Sequence, residues 1–436
     1  MTNVLDVTAG VEVATNAVRA ALDAGATEAQ ALHVGDELFE VTYDNTDVGM
    51  VRTTVDDQIT LMVFVDGAKG SSTITGRSHD LVNQAAAEAV AAARAGVNDP
   101  ANKIVEGAPT SLVELGDREP QQDVMIDTIL RHQAFMAERY AKILIRDSTY
   151  SFRNRWRAFA NSAGLTHQER RGSYTSSTIF SGKDGERGTS FNYTGSSAVA
   201  PFGELRESAT LLRLLDDTMA SFDPRPVPAT FVGDVIFTPD SVGTFLDTIF
   251  GALTGLTLIR GTTPFQESLG EVIADPRLTI TNRPCSPAFP LSSTFDGFGL
   301  ASEDMPIITS GVLDNHLVDW YSSHKLGRKA NASVYSIDVA AGDQTLDEII
   351  ANTERGIVLG RYSGGQPNQQ LDFSGVAKNS FYVEDGKVQH AVNETMVAGN
   401  FAEMLKAIRA IGSEQVNFGS DAVTAIAASG VTISTK

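Results

Sequence analysis

Seven histidines, His33, His79, His132, His167, His316, His324 and His390, are the side chains best suited to ligate a metal or shuttle a proton near neutral pH. A helix brings two imidazoles to one face when they are three or four positions apart, and no two of these have that spacing. The nearest pair, His316 and His324, flanks Trp320 in what reads as a strand or loop, and each is better explained as a satisfied or partly exposed side chain than as a ligand. Cys285 is the only cysteine, which excludes an internal disulfide and every site that needs two thiolates. Ser322 and Lys325 have the SxxK spacing of some acyl-transfer enzymes, but no SDN or KTG accompanies them. Neither GxGxxG nor GxxxxGK[ST] occurs, and no GxSxG elbow is present, so the glycines belong to turns. Acid pairs such as Glu303-Asp304 and Glu384-Asp385 sit beside turn residues, where carboxylates are commonly solvated.

One patch reverses the overall charge. Between Ala141 and Arg171, Lys142, Arg146, Arg153, Arg155, Arg157, Arg170 and Arg171 outnumber Asp147 and Glu169 by five. Arg153, Arg155 and Arg157 alternate with Phe152, Asn154 and Trp156, which on a strand puts three guanidinia on one face and the aromatic groups on the other. Such a row is either a solvated face paired with acids across strands or the lining of a path for a polyanion or an extended peptide. The chain as a whole carries 34 basic against 54 acidic residues, a net charge of −20 that repels phosphate backbones and anionic lipid. Arg153, Arg155 and Arg157 are therefore candidates for a peptide path, and nucleic acid and membrane are disfavoured as partners.

These residues need a scaffold of about two domains, since 436 residues is too long for one of ordinary size. Hydrophobic residues at 42% and charged residues at 20% describe a folded globular chain. The first residues lack a secretory pattern, no uninterrupted apolar run of about 18 occurs, and the lone cysteine suits a reducing compartment, so a cytoplasmic location is expected. Apolar spacing predicts helices over Thr8–Ala24, Ser78–Arg94 and Gln121–Ala141, with strands over Leu32–Tyr43, Gln58–Val65 and Ser71–Thr75 between them. The two longer helices are expected to cover one face of that sheet. Ala141–Asn192 reads as long hairpins turning at Asn161-Ser162-Ala163-Gly164 and through Gly185 and Gly188. The proline run Asp223–Pro228 marks a boundary between residues 1–223, helices on an antiparallel sheet, and residues 224–436, a strand-rich unit with helical patterns at Ser241–Leu253, Leu346–Asn352 and Asn400–Ile411. The fold class expected is α+β.

Two longer signatures reach further than any spacing rule. The stretch Gly311–Asn331, and the run from Asp372-Phe373-Ser374-Gly375 through Tyr382-Val383-Glu384-Asp385-Gly386-Lys387 to Ala398-Gly399-Asn400, resemble the C-terminal half of the PmbA/TldE group of the TldD/PmbA family. The N-terminal helix, the strand Ile59–Val65 leading into Lys69-Gly70-Ser71-Ser72-Thr73 and the Asn161–Gly164 turn come in the same order, so the resemblance covers nearly the whole chain.

Active TldD-type members resemble one another in a helix bearing HExxxH, whose two histidines bind zinc and whose glutamate is the general base, with a cysteine near the C-terminus as third ligand. The equivalent window here is Val235–Gly255, where Asp247, Thr248 and Ala252 stand at the His, Glu and His positions and Asn417-Phe418-Gly419-Ser420 replaces the cysteine segment. The resemblance therefore implies no catalytic, cofactor-binding or metal-ligating residue in this chain, with zinc held by a TldD-like partner. It implies a TldE-like subunit, in a heterodimer or a homodimer, of a protease that processes unfolded peptides. The older family label, modulator of DNA gyrase, finds no support in the charge. Two alternatives stay open at this point: an enzyme in its own right with unrecognised ligands, or a stand-alone peptide-binding or regulatory protein.

Overall fold

The computed structural model describes residues 7–110, 112–393 and 395–435. It is an α+β protein built on three sheets. The helices in chain order are α1 (Val7–Asp23), α2 (His79–Ala95), α3 (Gln122–Arg139), α4 (Leu211–Met219), α5 (Pro239–Ala252), α6 (Gly255–Arg260), α7 (Trp320–Leu326), α8 (Leu346–Ala351) and α9 (Phe401–Lys406). None of the described helices is long and apolar enough to cross a membrane.

The first sheet contains β1 (Glu28–Tyr43), β2 (Val48–Val65), β3 (Ala68–Thr75), β4 (Val113–Leu115), β5 (Ile143–Asn161), β6 (Thr166–Asp184), β7 (Arg187–Gly188) and β8 (Asn192–Ala198). Its main path runs β3-β2-β1-β5-β6-β4, with β7 and β8 also paired to β6. The long strands alternate, so each has one face for helices and one for whatever else the fold supplies. On the helix face Ala29, Ala31, Ile59, Leu61 and Val63 pack with Ala14, Ala17, Ala21, Val82, Ala86 and Ala89 of α1 and α2. Farther along the same strands, Phe39, Val41, Tyr43, Tyr150 and Phe152 receive Met125 and Ile129 of α3. The expected cover of α2 and α3 is thus joined by α1. Ser78 caps α2 through its side chain, as its position in the sequence implies.

All strands of the first sheet precede residue 199 and all those of the other two follow residue 230, on either side of the Asp223–Pro228 run. One later sheet has the order Val312–Leu313, Met305–Thr309, Ile280–Asn282, Ile337–Val339, Ala422–Val423, Val416–Asn417. The other centres on Phe231–Phe237, flanked by Ile426–Thr435 antiparallel and Arg355–Leu359 parallel. One core, with Val242, Phe245, Leu246 and Ile249 of α5 at its middle, serves both sheets.

Three local readings differ. Within Asn400–Ile411 only Phe401–Lys406 is helical, while Ile408–Ile411 pairs with Ile426–Ala428, because a short apolar run takes the structure its neighbours can bond. His324 lies on α7, which begins at an Asp319 side-chain cap and ends at Gly327 in the left-handed conformation. Helices α4 and α6 are absent from the expected elements, although α4 is plainly amphipathic, with Leu211, Leu214, Leu215 and Thr218 buried at helical spacing; α6 has only six residues.

The two halves meet across the outer face of β5 and β6. Glu169, only 2% exposed, lies between Arg157 and Arg171, 14% and 8% exposed, with Nη1 of Arg157 at 2.8 Å and Nε of Arg171 at 3.4 Å. From the second half, the Ser293 hydroxyl donates to the same carboxylate, as do the backbone N and Oγ1 of Thr294 at 2.9 Å each. Around it Arg157 stacks on Phe295 at 4.5 Å, His167 Nε2 reaches Gly299 O at 2.8 Å and Gln30 donates to Gly297 O at 2.9 Å.

Removing one partner of a buried charge cluster costs about 3–5 kcal/mol, whereas an exposed pair is worth about 0–1. Glu169→Gln is therefore expected to lower stability by about 3–5 kcal/mol in urea unfolding, and Asp36→Asn, which loosens the more exposed Arg153 and Arg155, by at most about 1 kcal/mol. Equal losses would show that the junction does not depend on this carboxylate. On the helix face, a Cβ on Gly35 would fall 1.6 Å from Cζ2 of the buried Trp156. Gly35→Ala is expected to lower the urea midpoint by an amount equivalent to about 1–3 kcal/mol, with little change in slope.

Candidate functional site

The strand reading of Arg153, Arg155 and Arg157 matches the geometry of β5. Their side chains share the outer face, and Phe152, Asn154 and Trp156 are buried on the helix side. The wider basic patch is dispersed. Lys142 pairs with Asp184 at 3.0 Å, Arg146 donates to Ser181, and Arg170 turns to the helix face, where it donates to the carbonyls of Gly116 and Asp117 and to Asn154. The reason is alternation: residues of opposite parity on one strand cannot share a face, and those near its ends meet other neighbours.

What remains is a cleft of about 270 Å³ between β5, β6 and the segment Pro290–Ser293, lined by Arg153, Arg155, Arg157, Arg171 and several hydroxyls. Arg155 grips Asp36 with two nitrogens at 2.9 Å, and Arg153 stands 3.7 Å from the same carboxylate. Glu169 answers Arg157 and Arg171. Four guanidinia against two carboxylates leave the cleft cationic. Arg157 and Arg171 are locked in the junction, so only Arg153 and Arg155, 40% and 45% exposed, can exchange Asp36 for an incoming anion.

A second cavity, of about 260 Å³, lies against α5. Pro239 fits the first turn of this helix, where its missing N–H has no bond to lose. Val242, Phe245, Leu246, Ile249 and Phe250 recur at helical spacing and are buried, while Asp247 faces the cavity. The other walls come from Asn192–Gly195 of β8, from Gly360 and Arg361, and from Phe418, Asp421 and Val423. Gly419 shapes this last turn at φ +91, pressed so closely on Ser197 that a Cβ would meet its carbonyl oxygen at 2.6 Å. Asp247 and Phe418 of the Asn417–Ser420 segment, far apart in sequence, thus face one cavity.

The charges in that cavity are unevenly satisfied. Asp240 is held by Arg213 and Thr210. Both oxygens of Asp421 are used, one by the Ile337 N–H and one by the Ser420 hydroxyl, each at 2.8 Å. Burial, and then the neighbouring Asp421, push the Asp247 carboxyl above the usual carboxylate range. Thr248 donates back to Thr244 O within the helix, and Ala252 is buried. These side chains do not fit a zinc ion: they supply neither imidazole nor thiolate, and two of the three carboxylates are already committed. Among the described residues no three His, Cys, Asp or Glu side chains converge as a metal would require.

The remaining chemistry-bearing residues lie elsewhere. His316 is buried between Phe265 O and Arg328, each at 2.9 Å, and burial lowers its pKa. His324 Nδ1 lies 2.9 Å from Trp320 O on α7, so the two histidines have separate partners. Ser322 and Lys325 of the SxxK pattern do not act together: Ser322 meets the Asp319 cap through its backbone N–H, and Lys325 pairs with Asp99 at 2.7 Å. Cys285 is exposed, donates to Ser302 O at 3.2 Å, and has a thiol pKa raised by desolvation. Arg361 carried no sequence signal, because a single arginine after a glycine has no pattern to read.

Residues 231–435 match the model of the PmbA/TldA metallopeptidase C-terminal domain. Metalloprotease PmbA of Escherichia coli O157:H7 is 28% identical over 201 residues, 45% of this chain and 44% of that protein, so the match spans under half the length of that relative. The PmbA homolog of Haemophilus influenzae is 22% identical over 427 residues, 93% of this chain and 90% of that protein. The crystal structure of TldE from Thermococcus kodakarensis has the same fold, with a TM-score of 0.84 at 18% identity over 96% of this chain and 99% of that one. The chain thus carries the PmbA/TldA metallopeptidase C-terminal domain over residues 231–435, is similar in sequence to PmbA-type metalloproteases and shares the fold of TldE.

Proposed function

We propose that this chain is the non-catalytic, TldE-like subunit of a two-component zinc protease acting on unfolded peptides, with the metal supplied by a TldD-like partner. The observation that carries this reading is the α5 cavity. Asp247, Thr248 and Ala252 stand where the resemblance places the zinc-binding helix, Phe418 stands in the cysteine segment, and Asp247 and Phe418 line one cavity without an imidazole or thiolate. A zinc peptidase needs those ligands to hold the ion, and the ion to activate its water. The cavity has walls but no ligand chemistry, which suits a chain that must still present an interface or a substrate path.

In this reading the cationic cleft on β5 attracts acidic stretches of the unfolded substrate, and its main-chain groups give sequence-tolerant contacts. Arg153 and Arg155 are the residues free to act, since Arg157 is tied into the Glu169 cluster.

Dialysed protein is expected to contain well under about 0.1 zinc per chain; about one per chain by elemental analysis would overturn the assignment and make the chain an enzyme candidate in its own right. Alone it is expected to leave unfolded peptides intact, and mixed with a zinc-bearing TldD-like homologue to support their chelator-sensitive cleavage. Chelator-sensitive hydrolysis by the isolated chain would sink the subunit reading. Replacing Arg153 and Arg155 together by Gln is expected to weaken binding of acidic peptides by about three- to tenfold at ~0.01 M salt and hardly at all near ~1 M, where the Debye length has shrunk from about 30 Å to about 3 Å. Equal affinities for variant and parent throughout that series would remove the cleft from the substrate path.

A further inference from the structure

The α5 cavity holds one cation that no described carboxylate balances. Burial destabilises the guanidinium ions of Arg157, Arg170 and Arg361. Arg157 leans on Glu169 and Arg170 on Glu114. Arg361 has a hydroxyl and a ring instead: Nη2 donates to Ser190 Oγ at 3.2 Å, and the guanidinium lies over Phe191 with Cζ 4.1 Å from the ring centroid. Its Nε is buried and has no acceptor among the described residues. Of the cavity's own acids, Asp240 and Asp421 already have donors, and none of Asp240, Asp247 and Asp421 forms an ion pair with Arg361 among the described residues.

A guanidinium lying over an aromatic ring, with donors to spare, is a natural receptor for a planar carboxylate, which accepts two parallel N–H bonds. Phosphate fits worse, because its second negative charge would find no second unpaired cation among the described lining residues, and Asp247 and Asp421 stand nearby. Leu246, Phe250, Phe418 and Val423 line the same space, so an apolar side chain can be buried beside the charge. At about 260 Å³ the cavity suits one end of a chain rather than a long segment.

We infer that Arg361 anchors a peptide carboxylate in the α5 cavity, with an apolar side chain of that peptide seated against Leu246, Phe250, Phe418 and Val423. This rests on the reading of the protein as a peptide-handling subunit and adds where, and by which end, a peptide is held. The carboxylate is supplied either by the C-terminus or by an Asp or Glu side chain, and both present the same group to Arg361.

Fluorescence anisotropy on the full chain separates the sources with three labelled pentapeptides: one ending in Leu with a free carboxylate, the same peptide as its C-terminal amide, and an amide with Glu in the penultimate position. The free acid is expected to bind parent protein about tenfold more tightly than the plain amide. Arg361→Gln should abolish that advantage and leave amide affinity unchanged, and Arg361→Lys, which keeps charge but not the fork, should retain part of it. Tight, Arg361-dependent binding of the Glu amide would support the site with a side-chain carboxylate as its ligand. Equal binding of all three peptides to parent protein, or an acid preference that survives in Arg361→Gln, would overturn the inference. The affinity of the plain amide reports whether the variant cavity is intact, since the loss of the Phe191 stack alone would lower binding of all three peptides together. Failure of partner-dependent cleavage with the acid preference intact would sink the subunit reading and leave this site standing; the reverse result would remove the site alone.

Discussion

A buried carboxylate needs countercharge and donors, and Glu169 obtains both only when the two halves of the chain are together. Arg157 and Arg171 come from the first sheet, and the Ser293 and Thr294 donors from the second half. Charges taken out of water are costly unless fully bonded, so a misplaced Pro290–Phe295 segment would leave part of the cluster unsatisfied. The cleft on β5 is a by-product of this constraint. The same segment that seals Glu169 forms one wall, and the arginines not consumed by the cluster stay exposed beside Asp36.

The α5 cavity follows a different logic. Its helix is held by apolar residues on its inner side, which belong to the core shared by the two later sheets. Leu246 and Phe250 belong to that core and also line the cavity, whereas Asp247 lines it without being part of the core. Asp247 and Thr248 at the His and Glu positions can therefore remove metal chemistry while the helix stays in place. Fold and chemistry are separable at Asp247 and Thr248, which lie outside the core, while Ala252 is part of it.

The two sites also differ in charge. The β5 cleft is cationic and hydroxyl-rich, suited to weak, salt-sensitive attraction. The α5 cavity is largely apolar, with a single oriented cation among acids, an arrangement that selects by shape and by one bidentate contact. In the proposed reading the cleft gathers extended chains and the cavity fixes an end.

Much of the scaffold was legible locally. Helices α2 and α3, the long β5–β6 hairpin with its Asn161–Gly164 turn, and the parity of Arg153, Arg155 and Arg157 follow from side-chain period and from caps and turns, which act within a few residues. The lack of HExxxH chemistry was likewise a matter of residue type. Which charges stay free was not legible, because their partners lie far along the chain: Arg155 meets Asp36 across 119 positions and Glu169 meets Thr294 across 125. The seven-residue basic patch dissolved for that reason, and Arg361, with no pattern around it, became visible only through the absence of a described carboxylate beside a half-buried guanidinium whose Nε has no acceptor. By itself, then, the sequence determined the elements, their buried faces and the chemical types at the α5 position, since these depend on local geometry and composition. Tertiary structure alone decided which ions are neutralised, which cavity each lines and how the two halves lock, since electrostatic satisfaction depends on proximity in space and carries no local signature.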